Sequence, residues 1–209
     1  MLQPLGIGGS YNVEDLDNIT NVAVLYKDYS YTDFFMGNMP QKNYTNYTVG
    51  TNGFLFGPND GLRISALELS TLLMMEMNQG TYGKAKILNP NTIQTMQQPQ
   101  WNFNRSNGDN QAGIIQSWGL GTELITATAG ADQIFPGVLL AGHSGNYFGL
   151  LGDYYFEQDI NFGFVVLVNG YTKGFAYQHG IHSAFTLPED QIYGVIAKYS
   201  RAACLAAKH

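Results

Sequence analysis

The residue types with the most chemical capability converge at one point, His143-Ser144-Gly145 followed by Asn146. An apolar run from Val138 leads into them, which reads as a strand delivering a titratable ring and a small hydroxyl at its end. The glycine that follows lets backbone approach a ligand closely. The plain alternative is a histidine and a serine in an ordinary turn between two strands. A second pair, in His179-Gly180-Ile181-His182, has a spacing by which two imidazoles can share a helix face. Its glycine argues instead for a loop, and no third metal ligand is evident. Cys204 is the single cysteine, which excludes an internal disulfide and a cysteine-based zinc site. It falls in a predicted helix and reads as a buried structural thiol.

The surrounding patterns suggest what positions these groups. Strand-like runs cover 118–125, 138–143, 148–156 and 162–169, with turn signals at Gly130, Gly145-Asn146 and Asp159. From Gly163 to Val168 the run is continuously apolar, as in a strand buried on both faces. Ser65 and Glu68 have the spacing of a capping box, opening a helix whose apolar face is Leu67, Leu69, Leu72, Leu73, Met75 and Met77. Gly80 suits its C′ position, and the methionines read as gap-filling core residues. Pro90 behind Asn89 opens a second, short helix that runs towards Pro99. A terminal helix is expected from about Pro188 to Ala206, with Ile192, Val195, Ile196 and Tyr199 against the sheet. Residues 1–60 carry turn-formers and tyrosines without a helical period, and the polar, aromatic 29–47 segment suits a surface excursion or a lid.

Composition narrows the function classes. A chain of 209 residues can bury one sizeable core. Only 12% of it is charged, about half the roughly 25% of ordinary soluble domains. The net charge of −6 and the scatter of the ten Lys and Arg argue against nucleic acid as a partner. No apolar run is long enough for a membrane span, and the first residues show no signal peptide. Low charge, many Gly and Tyr, and sequons at Asn18, Asn43, Asn46 and Asn104 point to an extracytoplasmic or secreted protein.

Read in order, the punctuated segments resemble the class C β-lactamase superfamily of penicillin-recognising serine hydrolases, which includes esterases and D-amino-acid peptidases. Pro4-Leu5-Gly6-Ile7 looks like the family's Pro-Leu-Gly-Met segment. The stretch from Asp60 to Leu69 is similar to its Gly-Gly-Leu-x-Ser-Thr-x-x-Asp-Leu helix opening, with acidic residues replacing one Gly and the Asp. Leu88-Asn89-Pro90-Asn91-Thr92 with Met96 matches its Leu-x-Pro-x-Thr helix. Trp118-Gly119-Leu120-Gly121-Thr122, Gly142-His143-Ser144-Gly145 and Phe164-Val165-Val166-Leu167-Val168-Asn169 then match three of its strands. Each motif alone is weak, and the six in order cover nearly the whole chain.

The resemblance implies an α+β fold, an antiparallel β-sheet with flanking helices, as in the C-terminal part of a β-lactamase or transpeptidase. The 209 residues read as a single C-terminal portion, with 1–60 the loop-rich remainder of the helical or lid region and 61–209 the helices, sheet strands and terminal helix. It also implies that His143 stands near the proton relay, that Ser144 and Gly145 contact substrate, and that the backbone N–H of Asn146 forms half of an oxyanion hole. The substrate would be a small amide, ester or peptide, with no cofactor. The family's nucleophile is a Ser-x-x-Lys, and no serine here has lysine at the third following position. Thr81-Tyr82-Gly83-Lys84 has the spacing with the wrong hydroxyl, and Tyr44-Thr45-Asn46 has the letters of the second motif in the wrong order along the chain. The expectation is therefore a chain inactive by itself that pairs with an N-terminal chain, or self-associates, to cover an exposed sheet edge. A competing reading is a non-catalytic relative that binds peptide or saccharide through some of its 14 Tyr and 2 Trp.

Overall fold

In the computed structural model, which describes residues 1–11, 15–23, 61–147, 149–170 and 179–206, the capping box read from the sequence is formed. Helix α1 (Ala66–Met77) starts where the Ser65 hydroxyl accepts the Glu68 N–H at 3.2 Å and Glu68 accepts the Ser65 N–H at 3.2 Å. The other Glu68 oxygen takes the Gly8 N–H at 2.7 Å, which ties the Pro4-Leu5-Gly6-Ile7 turn to the helix. Leu5 and Ile7 then pack with Leu72 and Met75 in one core cluster. Removing the cap with Ser65→Ala is expected to cost about 1 kcal/mol in urea unfolding. At the far end the Gly80 N–H reaches the Met75 carbonyl at 2.9 Å and the Gln79 N–H reaches Glu76 at 3.1 Å, a Schellman closure. Gln79 (φ 56°) takes the C′ position expected of Gly80, which stands one place later. Glycine is required there too, because φ is +89° and a Cβ would run into the Leu88 carbonyl.

A small hairpin, β1 (Thr81–Tyr82) and β2 (Ala85–Lys86), leads to α2 (Pro90–Gln97), which begins at the expected proline behind Asn89. Six strands then form one antiparallel meander in chain order: β3 (Trp101–Asn102), β4 (Ser117–Trp118), β5 (Glu123–Ile125), β6 (Leu140–Tyr147), β7 (Leu150–Glu157) and β8 (Phe162–Asn169). The fold is α+β, an antiparallel sheet with flanking helices, as the sequence implied. The 118–125 run is two strands and a turn rather than one strand. Gly119 lies so close to the end of α2 that a Cβ would overlap the Met96 carbonyl, and the Leu120 N–H donates to that same oxygen at 2.9 Å. Gly121 (φ +68°) then reverses the chain, and the Gly119 N–H closes the turn on Thr122 at 2.8 Å.

Strand β8 is also not the doubly buried strand its apolar run suggested. Among the described strands it pairs with β7 alone, and of its residues only Val166 is buried while Leu167 is exposed. Helix α1 lies across it at Gly163, where Leu73 and Met77 occupy the space of a side chain. Apolar residues therefore alternate between that contact and the main core.

The main core gathers Ile125, Leu140 and Tyr155 from the sheet under Ile134, Phe135, Phe185 and Tyr193. Tyr193 belongs to α3 (Leu187–Ala206), whose first turn is held by Glu189 accepting the Thr186 N–H at 2.7 Å. Its ring meets Phe185, Phe164 and Phe135 edge-on at 5.5, 5.8 and 6.4 Å. That anchor rotates α3 away from the expected face: Tyr193, Ile196 and Ala197 face the core, whereas Val195 and Tyr199 are 56% and 73% exposed. Cys204 falls within α3, with its side chain outside the described residues.

The 179–182 segment is a loop, as its glycine indicated, with His179 bridged to Thr186 and its Nδ1 3.2 Å from the Ala184 carbonyl oxygen. Among the described residues no cluster of three or more His, Cys, Asp or Glu is placed to hold a metal, and no helix is long and apolar enough to cross a membrane. The 29–47 segment, Tyr44-Thr45-Asn46 and the sequons at Asn43 and Asn46 lie outside the described residues.

Candidate active site

The strand β6 does not end at His143 but runs through Tyr147, carrying the whole His-Ser-Gly-Asn segment in extended backbone. Side chains alternate across a strand, so His143 and Ser144 leave β6 on opposite faces. His143 is exposed, with the Trp118 ring edge-on at 5.1 Å and its Nδ1 against the Ser144 carbonyl oxygen. The next residue on that face is Gly145, whose cross-strand partner is Gly152. A Cβ at Gly145 would meet nothing nearer than the Gly152 carbonyl at 3.6 Å. Beside the imidazole the sheet therefore presents bare backbone.

Ser144 faces the other way, towards Glu123 of β5. One oxygen of Glu123 accepts three donors: the Ser144 N–H at 2.9 Å, the Ser144 hydroxyl at 3.0 Å and the Tyr155 hydroxyl at 2.7 Å. Tyr155 reaches it from β7, across the intervening strand, because the residue between them is Gly142. A Cβ on Gly142 would overlap the Tyr154 carbonyl and the Tyr155 ring. Glu123 is 1% exposed, and burial raises its pKa above the usual carboxylate value. The Tyr155 and Ser144 hydrogen bonds and the His143 charge work against that rise.

A second buried acid lies directly opposite Ser144. Asp153 is 0% exposed, and among the described residues neither of its oxygens has a hydrogen-bond partner. The Tyr193 hydroxyl is near enough to favour the Asp153 charge, although no geometric hydrogen bond joins them. Burial pushes the Asp153 carboxyl well above its ordinary range, and the negative charge of Glu189 adds to the shift. Burial likewise raises Glu189, opposed by its bonds to Thr186. Three carboxyls this close cannot all ionise easily, so the group retains protons above the usual carboxylate range.

Past Gly142 no described strand pairs with β6 on the side that faces β5, which leaves that edge open among the described residues. The register pairs Glu123 with Gly142, so the residue opposite Ser144 would be Gly121, which the turn has carried out of the ladder. From β5 it is the Glu123 side chain that meets Ser144 there. N–H groups two residues apart in a strand point to the same edge, so the Asn146 N–H shares the open side with that of Ser144.

Neither a protein-family profile nor a curated protein sequence matches this chain. Among solved structures, the octameric penicillin-binding protein homologue from Pyrococcus abyssi superimposes with a TM-score of 0.54 at 19% sequence identity. The match covers 96% of this chain and 36% of that one, so this chain spans about a third of its length. The chain has a penicillin-binding-protein-like fold. At this identity the likeness is one of fold alone.

Within that penicillin-binding-protein-like fold, His143, Ser144, Gly145 and Asn146 occupy consecutive positions on one strand at the open edge. The hydroxyl proton of Ser144 is engaged by Glu123, so any anion at Ser144 competes with a carboxylate for it. Sequence reasoning missed Glu123, Tyr155 and Asp153. A signal for them existed. Asp153 stands in phase with Leu151 and Tyr155, and Glu123 in phase with Ile125, which places both acids on the buried face of their strands.

Proposed function

We propose that this chain is the C-terminal part of a β-lactamase-related serine hydrolase that cleaves amide or ester bonds through an acyl-serine. The observation that carries the reading is the open β6 edge, where the Asn146 N–H and the bare Gly145–Gly152 backbone lie beside an exposed imidazole. In such a reaction a serine oxygen attacks the substrate carbonyl and negative charge develops on its oxygen. The Asn146 N–H donates to that oxygen; losing one such donor typically costs about 10²–10³ in rate. His143 stands at the same edge to move a proton, and Gly145 lets an extended substrate lie against the strand. Ser144 contacts substrate through its lone pairs while its proton stays with Glu123.

The nucleophile belongs to another part of the complete protein, because these 209 residues contain no Ser-x-x-Lys. Residues 61–209 supply the sheet and helices, and 1–60 the loop-rich remainder of a helical or lid region. An N-terminal portion or a further copy covers the β8 edge, a role that suits self-association of the kind named for the octameric homologue. An extracytoplasmic location goes with this reading.

A second reading, a non-catalytic binder of peptide or saccharide, is favoured by the aromatic surface next to His143. There Trp118 pairs across the strands with Trp101, and Trp101 stands 6.1 Å from Phe103. Covalent labelling separates the two. The complete protein is expected to form a stable adduct with a fluorescent penicillin or a fluorophosphonate, read as a labelled band in a denaturing gel. Saccharide or peptide binding with no covalent label would establish the second reading instead.

A further inference from the structure

We propose that Glu123 is the positioning residue of the 143–146 edge, its carboxylate standing where a strand residue would otherwise pair with Ser144. The proposal deepens the hydrolase reading and rests on it only for the catalytic consequence. Strand β5 stops short of Ser144 because Gly119 is pinned against the Met96 carbonyl and Gly121 turns the chain away. An unpaired strand end of this kind frays, and its N–H groups lose a fixed direction. Here the Glu123 side chain folds back and takes the Ser144 N–H at 2.9 Å and its hydroxyl at 3.0 Å. The Tyr155 hydroxyl, 2.7 Å away, holds the same oxygen from behind.

The anchor lies two residues from Asn146 and on the same strand edge, so it sets the direction of the Asn146 N–H. Charge-assisted bonds to a carboxylate are about twice as strong as neutral ones, so the anchor weakens when Glu123 takes up a proton. The groups that bear on its ionisation come from every packed element: His143 on β6, Tyr155 and Asp153 on β7, and Glu189 on α3. Burial lifts the Glu123 pKa above its ordinary 4.5, so the anchor is strongest above that raised value and is lost as pH falls through it.

The test is a pH titration of backbone amides by two-dimensional NMR on wild-type protein, Glu123→Gln and Tyr155→Phe. The Ser144 amide proton is expected to move with a midpoint above the ordinary carboxylate range, and the Asn146 amide to follow at the same midpoint. Glu123→Gln removes that step from both amides. The step lost in the glutamine variant is the one that belongs to Glu123. Tyr155→Phe removes a donor that favours the carboxylate, so the midpoint moves to higher pH. A wild-type Ser144 amide without an acidic step, or an Asn146 amide indifferent to Glu123→Gln, overturns the proposal. Because the wild-type titration needs no variant to fold, the result stands even if one variant fails. The titration is independent of covalent labelling. Labelling without the titration removes the positioning role alone, and the titration without labelling leaves the anchor in a non-catalytic binding protein.

Discussion

Gly142→Ala is expected to destabilise the protein by about 3 kcal/mol or more, at or beyond the upper end of what overpacking costs. The added methyl would overlap the Tyr154 carbonyl, which belongs to the neighbouring strand and cannot rotate away. It would also press on the Tyr155 ring, with 2.7 Å to Cδ1. Relief requires β6 and β7 to separate, or Tyr155 to leave the core. Leaving breaks its bond to Glu123, and the Ser144 anchor loosens with it. Gly145→Ala, three positions along the same strand, meets only the Gly152 carbonyl at 3.6 Å and is expected to lie within about 0.5 kcal/mol of wild type. Urea unfolding of the two variants side by side reads the difference. A Gly142→Ala midpoint close to that of Gly145→Ala would mean that the Glu123–Gly142–Tyr155 row is not packed as described.

The contrast between those two glycines shows what kind of information the sequence carries openly. Both stand in one short motif, and local chemistry does not distinguish them. Their difference lies in which residue on β7 faces each one. Features set by near neighbours were legible: the Ser65–Glu68 box, the proline start of α2, the extent of α3 and the order of the later strands. Features set by distant partners were not. The break at Gly119 depends on the Met96 carbonyl of α2, and the rotation of α3 depends on Tyr193 meeting three phenylalanines from other elements. The edge position of β8 cannot be told from its apolar run, because a helix against one face leaves the same pattern as burial on both. The site divides in the same way. His143 and Ser144 were singled out by residue type and the Asn146 N–H through the family resemblance, whereas Glu123 and Asp153 carry their meaning through phase with Ile125, Leu151 and Tyr155 on the buried face. In a chain with only 12% charged residues, an acid in phase with a buried stripe is a signal in its own right.

Stability is expected to fall as pH rises from the ordinary carboxylate range through the raised Asp153 pKa, and Asp153→Asn to remove much of that fall. The folded Asp153 carboxyl has its pKa well above the ordinary 3.8 of an unfolded chain, first through burial and then through the charge of Glu189. Between those two values the native state holds a proton that the unfolded state has released. Unfolding stability therefore decreases with pH: the contribution is complete below the unfolded pKa and is lost as pH climbs through the folded one. Glu123, Glu189, Glu76 and Asp132 are all raised, each by burial first, and act with the same sign. Glu68 is lowered by its bonds to Ser65 and Gly8 and has the opposite sign, but its effect is confined to acid pH, being lost as pH falls through its lowered value. Asparagine keeps the shape of Asp153 without the charge. Above the raised Asp153 pKa the variant is expected to be more stable than wild type by about 1–3 kcal/mol, the scale for an unsatisfied buried group. That advantage shrinks as pH falls through the raised value and the wild-type carboxyl takes up its proton. Urea midpoints at both ends of the range measure it. A wild-type profile that stays flat, or a variant weakened equally at both, would show that the Asp153 oxygens have a partner after all. Such a partner would have to come from outside the described residues, because among them none reaches these oxygens.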